Sequence, residues 1–148
     1  MQLKYKQQYE STLKEVNRYR KKYEFMYQWM KLKQNGIELI EFFQDRKLES
    51  IAIYGMGDLG ELLYKELEDN RIIKFGIDRQ LKQNKIPIYS LENVKEKVDA
   101  IVITPVLITD EIEDQIYEIL GEQTTFVFEE ILFELSRKHQ INSEMWTI

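Results

Sequence analysis

The sequence predicts an α/β domain of three layers, with a five-stranded parallel sheet in the order 3-2-1-4-5. A long N-terminal amphipathic helix and a second short helix precede it. Three observations carry this reading. From Ile51 onward, short apolar runs alternate with stretches of helical periodicity. The run Ala100-Ile101-Val102-Ile103 holds no polar residue, as a strand covered on both faces should. The first run leads straight into Gly55-Met56-Gly57-Asp58-Leu59-Gly60, a turn that opens the next helix. Right-handed crossovers between parallel strands then give the strand order.

Taken in order, residues 1–47 read as a helical arm. Residues 2–34 contain neither Pro nor Gly, and Tyr5, Tyr9, Thr12, Val16, Tyr19, Tyr23, Met26 and Met30 fall on alternating steps of four and three. This heptad spacing predicts one apolar stripe along a helix of about 30 residues, roughly 45 Å long. Such a length exceeds the width of the remaining body. Part of the arm is therefore expected to pack on a second copy or on a partner enzyme. Asn35-Gly36 ends the pattern as a C-cap. A short helix over about 37–46 follows, with Ile37, Leu39, Ile40 and Phe42 or Phe43 on its apolar face.

Residues 48–138 supply the sheet. The spacing predicts a strand at Ile51–Tyr54 and a helix over 58–69 with Leu59, Leu62, Leu63 and Leu67 inward. A strand at Ile72–Ile77 ends at Asp78, and the polar stretch from Arg79 to Lys85 reads as a loop. Ile86–Tyr89 reads as an edge strand, because Pro87 cannot donate to a ladder. Ser90 is positioned to cap a short helix at 91–96. After the fourth strand, Asp110 and Glu113 form a capping pair for a helix over 110–120 that Gly121 closes. Thr124–Phe128 is the fifth strand and Glu129–Lys138 the last helix. The tail, 139–148, has no pattern, although Trp146 is available to dock.

Composition narrows the function. Cys is absent, which removes disulfides, thiolate zinc sites and a Cys nucleophile. No run of about 18 apolar residues occurs, so no membrane span is expected. The opening MQLKYKQQYE lacks the apolar core of a secretory signal, and a cytoplasmic location is the default expectation. The net charge of −5 is unevenly divided: residues 1–34 hold nine Lys or Arg against three Glu, the remainder twelve against 23 acids. A basic arm beside an acidic body raises nucleic acid or anionic lipid as partners. Five tyrosines interleaved with those charges favour instead an arm lying on acidic surface of its own or a partner subunit.

The candidate site is the glycine turn. Gly55 lets the chain leave the strand sharply, Gly57 leaves room for a pyrophosphate against the backbone, and Gly60 lets the helix approach the sheet. Unpaired N–H groups and the helix dipole favour a phosphate there, so Met56, Asp58 and Leu59 join the binding set. Asp78 stands 18 residues past Gly60, near the spacing expected of the carboxylate that receives ribose hydroxyls. It favours NAD over NADP by repelling a 2′-phosphate, while the adjacent Arg79 works the other way. Thr104-Pro105 would lie at the carboxyl edge of the sheet, where such folds bind ligands. Two plainer readings stay open: the glycines serve turn geometry alone, and Asp78 is a solvated strand end. Asp58 also brings a negative charge close to the proposed phosphate. No catalytic set is visible. The one His, His139, lies in the polar tail, and neither a Walker-type Lys nor a GxSxG elbow occurs. With about 50 residues before the sheet and about ten after it, a substrate-holding domain is not expected in this chain.

Together, Ile51–Gly60, Phe75–Arg79, Ile86–Leu91 and Val98–Thr104 resemble the small Rossmann-like modules of bacterial cell-surface and capsular polysaccharide gene clusters. Those modules occur alone or fused to glycosyltransferases and sugar-modifying enzymes. The segment Trp29 to Phe43 is similar to the helical lead-in they often carry. The resemblance covers about 100 residues at the level of pattern. It implies a role for Gly55, Gly57, Gly60 and Asp78 in binding NAD or a sugar nucleotide. The leading expectation is an auxiliary binding module that uses its arm to dimerise or to dock an enzyme. The alternatives are a scaffold that has lost its ligand, and a small oxidoreductase or epimerase completed by a partner, with Tyr54 or Tyr89 as base.

Overall fold

The computed structural model describes residues 2–106 and 109–141; Trp146 and most of the tail lie outside the described residues. Helix α1 (Gln2–Gln34) runs unbroken and is followed by α2 (Ile40–Asp45). Then come β1 (Ile51–Tyr54), α3 (Asp58–Leu67), β2 (Ile73–Ile77), β3 (Ile88–Tyr89), β4 (Ala100–Ile103), α4 (Thr109–Leu120), β5 (Thr125–Val127) and α5 (Phe128–Lys138). The sheet is parallel throughout, in the order β3-β2-β1-β4-β5.

Alternation along each strand divides the core in two. Ile51 and Ile53 of β1, with Ala100 and Val102 of β4, face a cluster built from α1, α2, α3 and α5. Ala52, Phe75, Ile77, Ile101 and Ile103 face the other way, onto Leu91 and onto Ile112 and Ile116 of α4. This is the three-layer arrangement that period-two strands with two apolar faces require. The register sets the site: Tyr54 pairs with Ile77 on one side and with Ile103 on the other. Gly55, Asp78 and Thr104 are therefore the next residues along three adjacent strands, side by side at the carboxyl edge.

The arm packs differently from its most regular pattern. Phe25, Gln28, Trp29 and Leu32 are its buried residues. Phe128 of α5 meets Phe25 and Trp29 edge-on, with ring centroids 4.7 and 4.8 Å apart. Of the stripe at heptad spacing, Met26 is partly buried against the core, whereas Tyr5, Tyr9, Val16, Tyr19, Tyr23 and Met30 are exposed, as is every residue from 2 to 20. The body takes the face carrying Phe25, Trp29 and Leu32, where only the indole N–H needs a partner on burial, whereas each tyrosine would bring a hydroxyl to satisfy. Glu66 fixes that docking: its carboxylate accepts hydrogen bonds from Trp29 Nε1 (2.8 Å), Lys33 Nζ (2.9 Å) and the Leu39 N–H (2.9 Å). Gly36, at φ +74°, ends α1, and the Ile37 N–H reaches back to the Leu32 carbonyl, as in a Schellman cap.

Other differences have local causes. Leu62, expected inward, is 45% exposed beside Met26 and Met30, and Leu59, Leu63 and Leu67 alone form the buried face of α3. β3 is only two residues long because Pro87 has no N–H, although its carbonyl accepts from Gly76. The expected helix at 91–96 is a single turn, Leu91–Asn93, since only Leu91 in it is buried. Phe128 leaves β5 to begin α5, drawn by the ring pocket of Phe25 and Trp29. Asp110 sits inside the first turn of α4 rather than before it.

Candidate functional site

The three glycines of the turn do three different things. Gly55 takes φ +92°, and a Cβ there would stand 2.7 Å from Thr104 Oγ1 and 2.9 Å from Pro105 Cδ. The turn after β1 and the turn after β4 are therefore in contact. A Cβ on Gly60 would lie 2.0 Å from the Gly55 carbonyl oxygen, so α3 crosses the turn at a distance only glycine permits. Gly57, by contrast, faces open space, with nothing within 4 Å of a Cβ built there.

Side chains around the turn are mostly committed to holding it. Met56 is buried and packs over Gly76, so it does not plug the turn. Its N–H donates to Asp78 Oδ2 at 2.8 Å, while Asp78 Oδ1 accepts from the Gln80 N–H at 3.0 Å. Asp78 thus fastens the glycine turn to the end of β2, and each of its oxygens keeps a lone pair for a further donor. The Gly55 N–H is bonded to the Ile77 carbonyl at 2.8 Å. Thr104 is buried; its hydroxyl reaches the carbonyls of Tyr54 (3.0 Å) and Gly55 (2.7 Å). Leu59 is buried, and its N–H is held by Asp58 Oδ1 at 3.1 Å. Several amides that an empty turn would present to a phosphate are therefore already bonded within the chain.

Two grooves meet at Gly55, Asp78 and Pro105. The first, about 830 Å³, runs along Gly57, Asp58, Leu59 and Val106, and Arg18, Tyr19 and Lys22 of α1 form its far wall. The second, about 700 Å³, lies on the α4 side and is lined by Tyr54, Arg79, Ser90, Glu92, Glu111 and Glu118 among others. The first groove carries two cations, Arg18 and Lys22, and two carboxylates, Asp58 and Asp78, whereas the second is lined mainly by carboxylates. Lys22 forms an ion pair with Asp58 across the first groove. That contact, with burial opposing it, holds the Asp58 carboxyl below its ordinary range.

All ten residues expected at the site lie on or beside this edge. Arg79 is exposed and falls in the second groove rather than beside Gly57. Arg18, Tyr19 and Lys22 were not expected there. For Arg18 and Lys22 the signal is a second heptad series, Arg18, Lys22, Phe25, Trp29 and Leu32, on steps of four and three; Tyr19 belongs to the first. Its apolar members dock on the body and so aim its two cations at the groove. Burial raises the Tyr54 phenol above its ordinary range, and the hydrogen bond to Glu96 raises that of Tyr89. Both shifts make a phenolate base scarcer at neutral pH. His139 lies against Glu41 on the other side of the molecule, its Nε2 2.5 Å from Oε2. Among the described residues, no group of three or more His or carboxylate side chains is placed to hold a metal ion.

Strand order, switch point and glycine turn define a Rossmann-like α/β domain. No family model, curated protein or solved structure matches the chain. Among the described residues, no helix is long and apolar enough to cross a membrane.

Proposed function

We propose that this chain is a binding module for a dinucleotide or sugar nucleotide, NAD first among them. The diphosphate lies over Gly57, and the two nucleoside or sugar ends extend into the two grooves. The observation that supports this reading most directly is the contrast among the glycines. Gly55 and Gly60 are required by packing, whereas Gly57 has no neighbour and leaves bare a spot in a groove lined by Arg18 and the Lys22–Asp58 pair, with Asp78 beside it. A fold that needed only the turn would gain stability from Ser, Thr, Asn or Asp at this N-cap position, or lose nothing. Asp78 then receives a ribose hydroxyl through its remaining lone pairs. The resemblance noted above suggests that the module serves enzymes of bacterial surface polysaccharide assembly.

Isothermal titration with NAD, NADP, a UDP-sugar and S-adenosylmethionine tests this. Binding of one of them, abolished by Gly57→Val in a protein that still melts normally, is the expected result. Silence from all four would remove the proposal.

One observation favours a second reading, a scaffold without ligand: the exposed stripe of Tyr5, Tyr9 and Val16 on the free half of α1. Under that reading Gly57→Val is silent, whereas Tyr5→Ser with Tyr9→Ser breaks an assembly that sedimentation velocity detects. The third reading, an oxidoreductase or epimerase completed by a partner, predicts turnover that depends on the Tyr54 or Tyr89 hydroxyl, and a turnover assay of Tyr54→Phe and Tyr89→Phe tests it.

A further inference from the structure

The ion pair between α1 and α3 joins residues 36 positions apart, and both line the groove beside Gly57. Asp58 engages two groups at once. One carboxylate oxygen pairs with the Lys22 ammonium, and the other accepts from the N–H of Leu59, in the first turn of α3. A cation and a first-turn amide are the two kinds of donor that hold a phosphate at a helix start. In this chain a side chain of the same charge as a phosphate occupies both.

We propose that Asp58 is an internal competitor for the ligand's phosphate, holding Lys22 and the Leu59 amide until a diphosphate displaces it. This rests on the nucleotide reading above and adds to it a cation supplied by the arm and a built-in check on occupancy. Displacement is feasible. The Asp58 side chain is 71% exposed, so its carboxylate rotates into water when released, and an exposed ion pair is weak. A lone monovalent anion offers little over the carboxylate it must replace. A diphosphate brings two negative groups and meets Arg18 as well, one turn of α1 before Lys22. The check therefore favours diphosphates over small anions.

The test is titration calorimetry of the full chain with NAD and with ADP, using wild type, D58N, K22M and the double variant. Asp58→Asn is expected to tighten NAD binding by about fivefold, by freeing a charged donor from an exposed pair. Lys22→Met is expected to weaken it by about tenfold or more, the value of a hydrogen bond to a charged group. The decisive quantity is the interaction between the two. If Asp58 acts by occupying Lys22, its replacement gains less than about twofold once Lys22 is gone. Equal gains in the two backgrounds would mean that Asp58 merely repels anions, and would overturn the competitor role. A D58N variant that binds no tighter than wild type would overturn it too; both results leave the nucleotide reading intact. Absence of binding in wild type and D58N alike removes both. Should D58N melt well below wild type, Asp58→Ser carries the same expectations.

Discussion

Replacing Gly60 with Ala tests the geometry on which the groove depends. The added methyl would lie 2.0 Å from the Gly55 carbonyl oxygen, 3.0 Å from its carbon and 3.5 Å from Ile53 Cγ2. The nearest obstacle is backbone in a turn held by Thr104 and Asp78, so it has no side-chain rotation by which to yield. Helix α3 must retreat by more than an ångström, lifting Leu59, Leu63 and Leu67 from the core they fill. Overpacking costs about 1–3 kcal/mol where side chains can yield, and here, where backbone must move, about 3–4 kcal/mol. Ala returns up to about 1 kcal/mol through its better helix propensity. The net loss expected is about 2–3 kcal/mol, or roughly 10 °C in melting temperature for a domain of this size. Gly57→Ala is the control. Its methyl meets nothing and the backbone φ of −77° suits any residue, so only the poorer N-cap counts, about 1 kcal/mol at most. Thermal unfolding followed by circular dichroism, with urea titration alongside, separates the two. A Gly60→Ala protein melting within a few degrees of wild type would refute the close crossing of α3 over the turn.

Three further outcomes follow from the packing of the arm and the charge on α4. Glu66→Ala leaves the Trp29 indole N–H and the Leu39 N–H without their acceptor, and should cost about 2–4 kcal/mol in urea unfolding; an unchanged midpoint would show that Glu66 does not anchor α1. Gln28→Met should be neutral or stabilising by up to about 1 kcal/mol: the amide's bond to Ser136 is lost, but so is the buried Oε1 that finds no donor, and Ser136 keeps the Leu132 carbonyl. A loss above about 2 kcal/mol would count against this balance. Burial first, and then Glu130, Asp110 and Asp114, raise the Glu113 carboxyl above its ordinary range. A folded-state value above the unfolded one contributes stability at low pH that is lost as pH rises through the folded value. Glu113→Gln should therefore flatten stability against pH in the acidic range and add a few tenths of a kcal/mol at neutral pH, measured by urea midpoints from pH 4 to 7.

The sheet was legible because its determinants are local and periodic. Four-residue apolar runs, the polar stretch after Asp78 and Pro87 at an edge each constrain the strand beside them. The glycine turn was legible for the same reason. What it offers a ligand was not. Whether the Met56 N–H is free depends on the pairing of Tyr54 with Ile77, which brings Asp78 alongside the turn. That register is set by the packing of whole strands, and no spacing in the sequence encodes it. The state of the Leu59 amide likewise depends on the rotamer of Asp58, and so on Lys22 some 36 residues earlier. Leu62 shows the same limit on the helical side. Its spacing matches the buried face of α3, yet it is 45% exposed beside Met26 and Met30 of α1.

The arm makes the point most sharply, because α1 carries two heptad series and only one can face the body. At about 100° per residue, the series through Phe25, Trp29 and Leu32 lies roughly 130° around the helix from Tyr19, Tyr23 and Met30. Regularity favours the tyrosines, which run the length of the helix; burial favours the shorter series, whose Phe25, Trp29 and Leu32 are fully enclosed. The choice has a chemical consequence. Arg18 and Lys22 continue the buried series toward the N-terminus, so docking Phe25 and Trp29 against Phe128 carries these cations over the glycine turn. Had the tyrosine face been buried instead, the helix would be turned by roughly 130° and Arg18 carried away from the glycine turn. The wall of the groove is thus decided by the hydrophobic contacts of a helix whose charged residues alone gave no sign of where they would lie.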